Sequence, residues 1–118
     1  MITCFIRYEI DPFKKDLFAQ YARNWGQAIP KCGADLIGYF SPHEGSATTA
    51  YGVYNIESLA AYEAYRERLR LDPLGRENYE MAQRERFILK EDRLFLRLAS
   101  APHGILETGL NDRERNQP

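Results

Sequence analysis

The chain has 118 residues, enough for one domain and too few for separate catalytic and regulatory domains. At this size about two-thirds of the chain's surface is buried on folding, so a core forms without metals or disulfides. With 16 Lys and Arg against 17 Asp and Glu, the formal net charge of −1 leaves no positive excess for a nucleic-acid backbone or an anionic membrane. The run Met1 to Arg7 lacks the basic region, long apolar segment and cleavage site of a secretory leader, and no uncharged stretch approaches the roughly 20 apolar residues of a membrane span. Cys4 and Cys32 show no C-x-x-C spacing, so two reduced thiols in a cytoplasmic protein are expected.

Residues 2 to 10 alternate, with Ile2, Cys4, Ile6, Tyr8 and Ile10 on one face, which predicts a strand. Asp11-Pro12 supplies an N-cap acceptor and a ring suited to the first helical position. The helix that follows carries Phe13, Leu17, Phe18, Tyr21, Ala22, Trp25, Ala28 and Ile29 on a broad apolar stripe, and Pro30 with Gly33 ends it. Leu36 to Phe40 reads as a short buried strand, the turn Ser41 to Ser46 as a reversal, and Ala47 to Tyr54 as the second arm of a hairpin. Asn55 is the expected cap of a second helix whose buried line is Leu59, Tyr62, Tyr65 or Arg66, and Leu69. Asp72-Pro73 breaks that helix and starts another, to about Arg86. Phe87 to Leu89 and Leu94 to Leu98 form the last strand region, with Lys90 to Arg93 as a bulge or reversal. A domain of residues 1–102 is expected, followed by a polar, loosely ordered tail, residues 103–118.

Strand, helix, strand, strand, helices, strand is the split βαβ order of a ferredoxin-like α+β domain, which predicts a four-stranded antiparallel sheet with helices on one face. The other face then carries Phe5, Phe95, Arg7 and Arg97. It is too apolar for water yet carries charge; a second copy of the sheet would cover it, and the competing reading is a solvated face with scattered aromatics.

The helix with Trp25, the run Gly33 to Phe40, the turn Pro42-His43-Glu44-Gly45, the Tyr62 to Arg66 helix with Asp72-Pro73, and the closing Phe95-Leu96-Arg97 together resemble the NIPSNAP family. The resemblance covers Ile2 to Ala99. It implies two ferredoxin-like protomers whose sheets close a dimeric α+β barrel, and an undefined biochemical activity. Relatives on that fold include cofactor-independent monooxygenases and haem enzymes, but shared architecture does not transfer a reaction.

Neither glycine-rich phosphate motif occurs, and His43 and His103, the only histidines, stand in expected turns without ligand partners at helical spacing. Haem relatives use a histidine from a regular element, and the expected helices have none, so no cofactor and no metal is expected. No catalytic residue is assigned; His43 beside Glu44 is the candidate general base. Trp25, Tyr62 and Arg66 are the candidate ligand-binding residues in a cleft between helices and sheet, with His43 at its rim. The competing reading is that Trp25 and Tyr62 simply fill the core. Expected partners are a second copy of the chain and a small aromatic or anionic molecule, without nucleic acid or membrane. The open alternatives are a cofactor-independent monooxygenase-like enzyme and a purely structural or interaction homodimer.

Overall fold

The alternating N-terminal run forms strand β1, Ile2–Ile10, and its pattern passes directly into burial, with every even-numbered residue from Ile2 to Ile10 in the core. The computed structural model describes residues 1–100. After β1 come a 3-10 turn (Pro12–Lys14), α1 (Lys15–Lys31), β2 (Asp35–Phe40), β3 (Thr49–Ile56), α2 (Leu59–Leu71), α3 (Pro73–Glu85) and β4 (Ile88–Leu96). The strands make one antiparallel sheet in the order β2-β3-β1-β4, the ferredoxin-like arrangement. All three helices lie on the face to which Ile2, Cys4, Ile6, Tyr8 and Ile10 point.

The helix boundaries follow from local chemistry. Asp11 accepts a hydrogen bond from the Phe13 N–H at 2.9 Å, but the first turn is 3-10 and the α-helix begins at Lys15. Pro30 sits in the last turn of α1, and Gly33, at φ 108°, turns the chain out of it into β2. Asp72 serves two helices. Its N–H donates to the Arg68 carbonyl at the end of α2, and its carboxylate accepts from the Gly75 N–H at the start of α3. Lys31 of α1 closes on the same carboxylate at 2.6 Å. The second tie between α1 and α3 is Asn78, which is fully buried; its Nδ2 donates to the Tyr21 carbonyl and its Oδ1 accepts from Asn24 Nδ2, both at 2.9 Å.

Several expectations are corrected. Asn55 does not cap α2: it lies in β3, where its side chain accepts from Thr3 and donates to Asp35, and Ser58 caps the helix through the Ala61 N–H. Phe13 is not part of the buried stripe but 93% exposed, because the 3-10 turn rotates it off the α1 face. The hairpin arm β3 runs two residues later than expected, and β2 is a half-exposed edge strand rather than a buried one. On α2, Tyr65 is buried and Tyr62 and Leu69 half-buried, while Leu59 and Arg66 are exposed. The expected tail, its boundary at 102/103 and His103 lie outside the described residues.

The largest correction concerns β4. Lys90 to Arg93 neither end the strand nor reverse it; the strand runs through them with a register shift opposite Glu9 and Ile10. Ile88 pairs with Ile10 on the helix side, and the one-residue shift then brings Glu91, Arg93 and Phe95 onto that side, opposite Tyr8, Ile6 and Cys4. Phe95 therefore packs beneath the helices, its ring edge-on to Tyr62 at 4.6 Å, and not on the open face. Arg97 lies beyond the strand. The open face instead carries Phe5 between Val53 and Leu94, with Tyr51, Phe40 and Leu96 nearby, and Arg7 between Tyr51 and Asp92.

Candidate functional site

Between the helices and the sheet lies a half-open cavity of about 600 Å³. Its floor is made by Ile6 and Tyr8 of β1 and Tyr54 of β3, its wall by Tyr21, Trp25 and Ile29 of α1. These residues recur at four-residue spacing on α1 and two-residue spacing on β1, which is why the two faces meet. Tyr39 reaches the cavity from β2 because Gly52 lies opposite it: a Cβ on residue 52 would stand 2.7 Å from the Tyr39 ring. The rings of Tyr8, Tyr21, Tyr39 and Trp25 lie 5.6 to 6.2 Å apart where they meet, the range of favourable edge-on and tilted contacts.

The hydroxyls of Tyr8 and Tyr39 share one hydrogen bond at 3.2 Å. Burial, the dominant cause in each case, pushes the phenol pKa values of Tyr8, Tyr21, Tyr39, Tyr54 and Tyr65 upward. The wall is thus one of neutral O–H groups. Burial also raises the Cys4 and Cys32 thiols, so neither free cysteine is poised as a thiolate nucleophile.

One cation enters this interior. Arg93 lines the cavity from β4, with Nη2 donating to Glu91 at 2.5 Å and Nη1 to the Tyr62 hydroxyl at 3.1 Å. Burial opposes its charge, but Glu91 and the oxygens of Tyr62 and Tyr54 more than offset this, and its pKa is raised. Two buried donors, Arg93 Nε and Trp25 Nε1, have no hydrogen-bond partner. The mouth is charged: Arg66, Glu67 and Arg70 of α2 and Arg76 of α3 stand there. Arg70 is paired with Glu67, whereas neither Arg66 nor Arg76 is ion-paired among the described residues.

Of the residues expected in the cleft, Trp25 lines the interior and Arg66 the mouth. Tyr62 does not line the cavity but stands behind it, its hydroxyl accepting from Arg66 Nη1 at 2.6 Å and from Arg93. His43 is exposed in the β2–β3 connection and is not a lining residue. Arg93 is a charged lining residue that reading the sequence missed. Its signal was there at period two, since Phe95, Arg93 and Glu91 share one face of a continuous strand, but the run of charges reads as a break. Among the described residues no group of His, Cys, Asp and Glu is placed to hold a metal ion, and no helix is long and apolar enough to cross a membrane.

Comparison with known proteins agrees with this architecture. A NIPSNAP family protein with unknown function from Agrobacterium tumefaciens superposes with a TM-score of 0.71 at 19% identity, covering 87% of this chain and 92% of that one. An uncharacterized NIPSNAP domain protein from Burkholderia xenovorans gives 0.69 at 21%, covering 86% and 99%. SnoaB, a cofactor-independent oxygenase from Streptomyces nogalater, gives 0.52 at 14%, covering 85% and 94%. No curated protein sequence matches significantly. At these identities the likenesses establish the fold alone, a ferredoxin-like α+β domain. The NIPSNAP family model matches residues 3–102, and with nearly the whole domain covered, this chain belongs to the NIPSNAP family.

Proposed function

We propose that the chain acts as a cytoplasmic homodimer that binds a small aromatic or anionic molecule in the cleft between helices and sheet. The observation that carries this is the cavity itself: about 600 Å³, open to solvent, ringed by neutral aromatics and edged by unpaired arginine. A purely structural dimer would have favoured a closed, ring-filled interior. Trp25 supplies stacking surface, Arg66 draws an anionic group to the mouth, and the Tyr62 hydroxyl, accepting from both Arg66 and Arg93, bridges the two guanidinium groups. His43, exposed and away from the lining, has no role in this reading.

Because Trp25 is the sole tryptophan, its fluorescence reports occupancy directly. Titration with a panel of aromatic carboxylates is expected to shift or quench it, and calorimetry is expected to show weakening in Trp25→Phe and a loss of about three-fold in Arg66→Ala, as for an exposed ionic contact. Binding unchanged in both variants would place the site elsewhere. The likeness to SnoaB favours a second reading, oxygenation without a cofactor in the same cavity. Oxygen uptake dependent on a cavity-bound aromatic would support it.

A further inference from the structure

The interior of the cavity and its mouth make opposite demands on a ligand. Inside, two buried nitrogens are left without a partner. An indole N–H and a guanidinium N–H can only donate, and those of Trp25 and Arg93 Nε have no acceptor. An acceptor is therefore what these two nitrogens lack. It is not an anion that is lacking, because Glu91 already matches the Arg93 charge at 2.5 Å, and a second carboxylate there would be repelled by Glu91. At the mouth the balance is reversed. Arg66 and Arg76 carry charge without an ion-pair partner among the described residues, with Glu63 the one unpaired carboxylate on the same rim.

Resting on the reading of this cavity as a binding site, we infer that it takes a two-ended ligand, a flat ring system with a neutral carbonyl oxygen at depth and an anionic group at the mouth. Arg93 with Trp25 reads the carbonyl, and Arg66 with Arg76 holds the anion. The two orphaned nitrogens are sealed from solvent by the surrounding side chains, so the carbonyl reaches them as those side chains shift. A ligand without an acceptor at that end does not offset the displacement.

The test is calorimetry on the full chain with three matched probes: acetylnaphthoate bearing its ketone and carboxylate at opposite ends of the ring system, naphthoate, and acetylnaphthalene. Acetylnaphthoate is expected to bind about ten-fold tighter than naphthoate, the loss typical of one hydrogen bond to a charged group. In Arg93→Met this advantage disappears while naphthoate affinity holds. In the double variant Arg66→Ala with Arg76→Ala, two exposed positions whose loss leaves the core intact, both carboxylates weaken about ten-fold and acetylnaphthalene does not. Naphthoate binding as well as acetylnaphthoate to the wild-type chain would overturn the inference and leave the binding site standing, a comparison that needs no variant to fold. Failure of all three probes to bind would remove the site, and the inference with it.

Discussion

The open face of the sheet sets a stringent test of pairing between two copies. Leu94 stands on that face directly opposite Phe5, and it is 58% exposed, so the folded protomer does not depend on it. Leu94→Lys therefore leaves the monomer intact and acts only where the face is covered. In a two-fold dimer every change occurs twice. Each copy loses leucine burial of about 1.5 kcal/mol at the low end and leaves an ammonium unpaired at an apolar interface, a further cost of at least about 1.5 kcal/mol. The dimer is then weakened by about 6 kcal/mol, which is more than ten-thousand-fold in the dissociation constant. Sedimentation across a wide dilution range is expected to show wild-type dimer persisting below micromolar concentration and Leu94→Lys as a folded monomer at tens of micromolar. Phe95→Lys makes the contrast: Phe95 packs on Tyr62 under the helices, so its replacement destabilises the protomer itself. A wild-type chain that is monomeric at tens of micromolar, or a Leu94→Lys chain that stays dimeric, refutes the reasoning.

Replacing Asn78 by Leu removes its donor to the Tyr21 carbonyl and orphans Asn24 Nδ2, with an expected loss of about 1 to 3 kcal/mol and a fall in Tm of several degrees by calorimetry. Asp72 has its pKa lowered first by the Lys31 hydrogen bond and then by the Gly75 N–H, so its stabilising effect is present above the ordinary carboxylate range near 4 and is lost as pH falls through the lowered value. Urea titrations from pH 6 downward are expected to show a shallower acid limb in Asp72→Asn, and parallel limbs would count against the pair. For Tyr8, Tyr21, Tyr39, Tyr54 and Tyr65 the raised folded pKa values mean stability that is intact below about pH 10 and lost as pH rises through them. Their ultraviolet tyrosinate signal is expected to grow in together with loss of circular dichroism, and phenolate formation in the folded chain would contradict a buried cluster.

What was legible in the sequence is what neighbours along the chain decide. The alternation of β1, the caps at Asp11 and Asp72, the turn at Gly33 and the stripe of α1 each depend on residues within a turn of one another, and from their order the split βαβ fold follows. The tertiary structure decided which way the ambiguous segments face. A strand such as β4, with apolar and charged residues at both parities, does not state its own inner side; pairing with β1 does, and the single register shift opposite Glu9 and Ile10 turns Glu91, Arg93 and Phe95 inward. Asn55 reads as a cap, but the partners waiting across the sheet, Thr3 and Asp35, hold it in β3, and Ser58 caps α2 instead. The site lay beyond reach for the same reason. Trp25 was visible as a ring on a helix, but the donors left without acceptors beside it arise from chain segments as far apart as residues 25 and 93, and no local rule brings those together.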